Sequence, residues 1–391
     1  MSRVLVHVGA PKTGTTFIQD LLFQHRESLA GKGILYPADR FDAHFLAALD
    51  LMELPWGGLE KQASGAWDAL AARVREWQGT SIVSHEILAR ATRGQVRRAV
   101  ESFGDAEVHI VFSARDLVRQ LPAEWQENVK HRRTLTYSTF LKQVMDPARN
   151  TELASWFWGV QEVPDILARW GDELEPSQVH LVTVPPPGAA RGLLWERFAS
   201  VFGLDASAYE TDSERVNPSM GAPETDYIRR VNQRVNDGVL ANEHYREFVR
   251  ELLAHRTLSQ RTGSPRLSVP PDVWEWATEL SQRWVGELST KGYDVVGSLE
   301  ELLPESQPED FVDPDVSLHD DEVGIEATVT LLEEAARLRR ESDRLEAELA
   351  AAREAEALGT VGRFKRRVVR TSDTNVLLRG ALKGYRRARG R

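Results

Sequence analysis

The segment Gly9-Ala10-Pro11-Lys12-Thr13-Gly14-Thr15-Thr16 joins an apolar run, Val4 to Val8, to a helical pattern. Its residue types are those of an anion cradle: glycine lets main-chain amides turn toward a ligand, hydroxyls donate hydrogen bonds, and a lysine neutralises charge. The loop that holds nucleoside triphosphates reads G-x-x-x-x-G-K-[ST], with its lysine on the β- and γ-phosphates and its final hydroxyl on magnesium. Here Gly9 and Gly14 keep the glycine spacing and Thr16 keeps the hydroxyl, but Thr15 stands at the lysine position and Lys12 lies three residues earlier. A cation there sits over the loop's mouth, near a bridging oxygen, and not alongside a long triphosphate. Such a loop suits one phosphate with a transferable group just beyond it. The amides of Thr15, Thr16 and Phe17 open a helix whose dipole favours the same anion.

A second candidate anion ligand is Arg115, which ends the run "EVHIVFSAR" and precedes a helical segment. A guanidinium at a strand end is a sound bidentate phosphate ligand. The same strand lacks the terminal acid that a magnesium-dependent phosphoryl transfer uses. No HExxH, cysteine pair or EF-hand spacing is present, so no metal site is expected.

These residues need a scaffold that brings strand ends together. Up to about residue 200 short β-rich runs alternate with amphipathic stretches: "RVLVHV", then Thr16 to Leu29; "GILYP", then Asp42 to Leu54; "TSIVS", then Gln95 to Phe103; "EVHIVFS", then Leu117 to Lys130; "QVHLVTV", then Arg191 to Phe202. Nearly all-apolar strands alternating with helices imply an α/β fold with a central parallel sheet flanked by helices. Residues 205 to 300 read as mostly helical, with Trp274, Trp276 and Trp284 facing inward.

With this order of elements in place, "PKTGTT" directly after the first strand resembles the 5′-phosphosulfate loop of the sulfotransferases that use 3′-phosphoadenosine 5′-phosphosulfate (PAPS). The resemblance covers roughly the first 220 residues and points to a bacterial, carbohydrate-directed branch. It implies a P-loop-NTPase-like sulfotransferase fold, PAPS as co-substrate with 3′,5′-ADP as product, and no metal requirement. By position, Pro11, Lys12, Thr13, Gly14, Thr15, Thr16 and Phe17 would form the donor loop, with Lys12 on the oxygen bridging sulfate and phosphate. Arg115 matches the family's 3′-phosphate arginine, but Ala123 occupies the place of its serine eight residues later, a contact that Arg119 or Gln120 would have to supply.

Sulfuryl transfer to an alcohol or amine needs a base. The strand "TSIVS" ends in Ser84-His85-Glu86. Some family members use a histidine after this strand and carbohydrate-directed ones a glutamate, so the role is open between His85 and Glu86. His85 is preferred because an ordinary pKa near 6.5 suits a neutral-pH base, whereas Glu86 would need desolvation. His44 in "DAHFLAAL" and Gln126 and His131 in "EWQENVKHRR" are candidates for the acceptor cleft, as are Trp125 and Lys130; His7 reads as core. Arg215, Asn217 and Ser219 in "ERVNPSMG" have no assigned role. The competing readings are a P-loop kinase of a small metabolite and a non-catalytic nucleotide-binding scaffold.

The chain has 391 residues, no cysteine and a net charge of −10. No apolar run of spanning length occurs and the start shows no leader pattern, so the expectation is a cytoplasmic protein. A sulfotransferase domain is expected over 1–303. The stretch 304–321, with three prolines and seven acids but no Lys or Arg, reads as an acidic linker. In 322–358, Leu331, Leu338, Leu345 and Ala352 recur every seven residues, with Ala335, Ser342 and Leu349 between them, which reads as a coiled coil and a route to a homo-oligomer. From Thr360 to Arg391 eleven Lys or Arg face one Asp, so this tail carries +10 and the remainder −20. The interleaved apolar residues of 359–391 fit an anionic membrane surface or an acidic glycan or glycolipid, whereas the acidic body disfavours nucleic acid.

Overall fold

The computed structural model describes residues 2–357 except 191, 210, 212–218, 237, 239, 306–310 and 317–320, with side chains to 353. The basic segment 359–391, Arg215 and Asn217 lie outside the described residues. The chain divides into two compact units, Met1–Gly324 and Ile325–Arg391.

The first unit is built on six strands: β1 (Arg3–His7), β2 (Ile34–Leu35), β3 (Thr80–Ser84), β4 (Glu107–Ala114), β5 (Val179–Thr183) and β6 (Asp294–Val296). They pair in the order β2-β3-β1-β4-β5-β6, every pair parallel. The helices used below are α1 (Thr15–Gln24), α2 (Arg26–Gly31), α3 (Ala43–Met52), α4 (Ala66–Glu76), α5 (Arg93–Ser102), α6 (Leu117–Lys130), α7 (Tyr137–Met145), α8 (Glu152–Gln161), α9 (Val163–Trp170), α10 (Leu193–Phe202), α11 (Ala222–Val235), α12 (Pro271–Leu288) and α13 (Asp321–Ala357). This is the α/β architecture with a central parallel sheet that the apolar strands implied.

The four central strands are buried along nearly their whole length because both faces of the sheet are covered. On one face Leu5, Ile82, Val111 and Val182 meet Ile18, Leu21 and Leu22 of α1 and Trp195, Phe198 and Phe202 of α10. Their strand neighbours Val4, Val6, Val83, Ile110, Phe112 and Leu181 are equally buried on the other, as the two-residue pleat requires. Buried apolar area of this kind, worth about 25 cal/mol per Å², fixes the strand register. A one-residue slip would turn both sets around.

Three local features differ from the expectation. The helix after the loop breaks at His25 into α1 and α2. A sixth strand, β6, lies in the region read as helical; with three residues it is too short to carry a periodic signal. In α12 Trp284 is buried, whereas Trp274 and Trp276 are half-buried.

The acidic stretch 304–321 is partly anchored to the first unit. The Asp315 carboxylate accepts hydrogen bonds from the amides of Tyr137 and Ser138, 2.7 Å each, and Pro314 is buried. The free amides of a helix start attract such a carboxylate. In the second unit, the described residues continue α13 as one helix on which Leu331, Leu338 and Leu345 are exposed. Among the described residues, no helix is long and apolar enough to cross a membrane.

Candidate active site

The strand order places β1 between β3 and β4, so successive connections leave it in opposite directions. Parallel sheets bind ligands in the crevice at the carboxyl ends of strands where the order reverses in this way. Three chain segments therefore converge there: the loop after β1, Ser84-His85-Glu86 after β3, and Ala114-Arg115-Asp116 after β4.

The loop's inner side is fully engaged. The Ala10 amide donates to the Ser113 carbonyl at 2.8 Å, and the Ser113 amide and hydroxyl both donate to the Gly9 carbonyl at 2.6 and 2.8 Å. The Thr13 hydroxyl, buried, donates to the Ala10 carbonyl at 2.6 Å and lies 2.5 Å from the Ser113 hydroxyl. Its side chain thus locks the loop from within. The Pro11 carbonyl accepts from Gln120 at 2.8 Å and Gln161 at 3.3 Å. Gly14, at φ 86°, has the left-handed conformation that glycine tolerates, and a Cβ there would lie 2.6 Å from Leu194. Lys12 is left-handed too, at φ 64°, and Arg115 holds it there by donating to its carbonyl at 3.0 Å.

The loop's outer side is different. Helix α1 starts on Gly14 with no side-chain cap and no acid in its first turn, a lack that α3 shares, whereas α5, α6, α7 and α8 are capped by Thr92, Asp116, Thr136 and Thr151. Its first closed bond runs from the Ile18 amide to the Gly14 carbonyl, so the amides of Thr15, Thr16 and Phe17 precede the helical ladder. The Phe17 ring packs on the core, leaving only its amide for the cradle.

Across the loop, Lys12 Nζ lies 2.5 Å from Glu127 Oε2. The same carboxylate faces His131 at 3.1 Å, Arg250 at 3.5 Å and Lys130 at 3.8 Å. Burial pushes the Glu127 carboxyl up, but Lys12, then His131 and Lys130, outweigh it and hold it well below the usual range. Burial also brings Lys130 down to about 8. Glu127 thus gathers a field of three cations, Lys12, Lys130 and Arg250, with the Glu124 carboxyl also acting on Lys12. Arg115 adds to this field: burial, with Arg119 beside it, lowers its pKa to about 10, and its Nε is buried without a hydrogen-bond partner among the described residues. Arg119 is engaged by Asp116 and by the Pro185 carbonyl at 3.0 Å.

His85 and Glu86 differ in what remains free. His85 Nδ1 accepts from the Ile87 amide at 3.3 Å and the ring stacks on Phe45, centroids 5.0 Å apart. With Nδ1 accepting, the neutral ring carries its proton on Nε2, a donor. Burial lowers its pKa, against the opposing pull of Glu86. Glu86 accepts from Gln19 through Oε2 at 2.8 Å, and its own main-chain amide also donates to the carboxylate. Burial raises this carboxyl, but His85, Gln19 and His7 together keep it below the ordinary value.

The remaining candidates have structural partners. His44 is buried and accepts from the Ser84 amide at 3.1 Å, burial lowering its pKa to about 3. Gln126 is buried and ties α6 to the Met220 carbonyl and the Thr225 hydroxyl at 2.9 and 3.2 Å. His131 is at the rim, on Glu127. His7 bridges Ser84 at 2.8 Å and Ser113 at 3.4 Å inside the sheet. Three groups went unnoticed in the sequence. Glu127 and Glu124 lie three apart on α6, and Arg250 comes from a π-helix, Tyr245–Thr257. Glu124, buried and bonded by Gln161 at 3.0 Å, has its carboxyl pushed up to about 7 by burial against the pull of Lys12. Among the described residues no three His, Asp or Glu side chains converge as a metal ion would require.

No family model matches the chain, and no curated protein matches it. Among solved structures it is similar to a sulfotransferase from Alicyclobacillus acidocaldarius, with 17% sequence identity, 62% of this chain and 98% of that chain covered, and a TM-score of 0.39.

Proposed function

We propose that the protein is a PAPS-dependent sulfotransferase, moving a sulfuryl group by in-line transfer to a hydroxyl or amine of an acceptor. The observation that carries the reading is the left-handed Lys12 inside the loop that opens the uncapped helix α1, its carbonyl held by Arg115 and its ammonium by Glu127. A loop cation in this position serves a single phosphate and the group attached to it. The Arg115 guanidinium with its orphaned Nε and the three cations gathered on Glu127 support a doubly phosphorylated nucleotide as ligand.

PAPS would supply an activated sulfuryl group on a phosphate leaving group. The amides of Thr15, Thr16 and Phe17 would hold the 5′-phosphate, and Arg115 the 3′-phosphate. Lys12 would neutralise the oxygen that keeps the electron pair of the broken bond. Glu86 is the proposed base: its carboxylate, ionised and fixed by Gln19, takes the acceptor's proton. His85, its neutral ring a donor at Nε2, orients the acceptor. The exposed Leu331, Leu338 and Leu345 support self-association through 322–358 as part of the same proposal.

Calorimetry tests the donor assignment. The protein should bind 3′,5′-ADP with magnesium chelated, and Lys12→Ala should retain that affinity within a few-fold while transfer falls by about a hundredfold or more. Preference for ATP with magnesium, or equal loss of binding and transfer in the variant, would reject it.

A further inference from the structure

A line of aromatic rings leads away from the candidate base. Phe45 of α3 stacks on His85 and meets Trp56 edge-on, centroids 5.8 Å apart. Trp56 in turn faces Trp156 of α8 at 5.7 Å, tilted by 44°, and His131 at 6.3 Å. The Arg90 guanidinium lies over the Trp156 ring at 4.8 Å. It runs along α8 at Gly159, where a Cβ would come 3.1 Å from Arg90 Cγ, so the absence of a side chain there makes room for it. Phe45, Trp56 and Trp156 are all half-buried, so each keeps part of its surface in water.

Two rings of this wall, Phe45 at its end and Trp56 at its middle, join the transfer site. Phe45 touches His85, next to Glu86; Trp56 meets His131, which bonds the carboxylate that holds Lys12. A large aromatic surface left half-open beside reactive groups is a recognition surface more often than a packing defect. Of the polar groups at its edge, Arg90 is a hydrogen-bond donor and His131 already engages Glu127 through Nε2 at 3.1 Å. A ring with one apolar C–H face and hydroxyls around its rim complements that mixture: its slightly positive hydrogens meet the negative π-face and its oxygens meet the rim. A lone phenol matches it less well, because a flat apolar ring gains most from an enclosed slot.

We propose that Phe45, Trp56 and Trp156 form the acceptor platform and that the acceptor is a saccharide, laid ring-face on the indoles with the hydroxyl to be modified directed at Glu86. The reaction assigned to the saccharide rests on the sulfotransferase reading; the binding surface does not.

The test uses the full chain on an array of neutral and uronic-acid-containing oligosaccharides, followed by titration of retained glycans with tryptophan fluorescence as readout. Retention by a subset of glycans is expected, with at least a tenfold loss of affinity in Trp56→Ala and Trp156→Ala and partial recovery in the Phe variants, each variant having an unaltered melting curve. Should an alanine variant fail to fold, its Phe counterpart carries the comparison, with a smaller loss expected. Absence of any retained glycan, undiminished binding by all folded variants, or quenching by p-nitrophenol with no glycan competing for it would overturn the platform. A parallel 3′,5′-ADP titration separates the two ideas: glycan binding that depends on the tryptophans without nucleotide binding sinks the donor assignment and leaves the platform standing.

Discussion

At the amino end of the sheet, His109 on β4 and His180 on β5 stack with their facing nitrogens 2.8 Å apart, and the outer nitrogens meet Glu107 at 3.1 Å and Asp294 at 2.7 Å. At the carboxyl end, His85 and Glu86 stand beside the loop, with three cations gathered on the Glu127 carboxylate and an arginine nitrogen without a partner among the described residues. Both ends cluster imidazoles with carboxylates. They differ in charge: at the amino end each imidazole has its own carboxylate, whereas at the carboxyl end three cations share Glu127. The amino-end chain crosses three strands and ends on a carboxylate at each side, with His109 Nε2 near Glu107 but outside hydrogen-bond geometry; a structural polar network offsets its burial through such pairing. The carboxyl end is held just as firmly on its inner side, through Thr13, Ser113, Gln120 and Gln161, so that its outer side can stay open. A cluster of titratable residues is therefore weak evidence of function by itself. Charge gathered around a loop at a strand switch point is better evidence.

The comparison is easiest to break at Glu86. If the carboxyl end is the working one, Glu86→Gln should reduce transfer of labelled sulfate to an oligosaccharide pool by roughly 10²- to 10⁴-fold, with 3′,5′-ADP affinity unchanged. His85→Ala should keep transfer within about tenfold of wild type, because its Nδ1 lone pair is already spent on the Ile87 amide. The pH dependence follows from the same assignment. A carboxyl held below its ordinary value stays ionised as pH falls from 7 to 5, so transfer should persist across that range. An acid limb above pH 5 that vanishes in His85→Ala would hand the role to the imidazole.

A second variant sharpens the contrast through stability. Burial raises the Glu124 carboxyl from 4.5 to about 7, so between those values the folded protein binds a proton that the unfolded chain has lost. The stability contribution is complete below pH 4.5 and is lost as pH rises through 7. The shift corresponds to about 3 kcal/mol as an order of magnitude. Glu124→Gln keeps the hydrogen bond from Gln161 but has no charge to desolvate. Its melting temperature should exceed that of wild type at pH 8 and match it near pH 5; parallel curves at both would show the carboxyl to be unstrained.

What the sequence disclosed follows from this layout. Lys12, Arg115 and Glu86 are each within a few residues of a strand end, and a parallel sheet gathers strand ends whatever the loops do. Their convergence could be read from order alone. The inward turn of Thr13 could not, because Thr13, Thr15 and Thr16 are alike on paper and the choice depends on Ser113, a hundred positions away. Arg250 was hidden for a similar reason: a π-helix far along the chain brings it to Glu127. Gln126 looked like a cleft residue because its helix follows Arg115, but α6 turns that face toward the Met220 segment and buries it. The platform tryptophans come from a loop and from α8, and their nearness is a tertiary fact.

The smallest effect is expected at the closed end. His180→Asn removes the imidazole that links His109 to Asp294 and leaves a buried ring nitrogen without its partner, a loss of about 1–3 kcal/mol. Chemical denaturation should register it, since β6 pairs with β5 at that position. The effect should stop there: 3′,5′-ADP affinity, glycan retention and the pH profile of transfer should stay within twofold of wild type, because the network touches neither the loop nor the aromatic wall. A changed pH profile in this variant would mean that the two ends communicate along the strands, and the division between a closed structural end and an open working one would have to be abandoned.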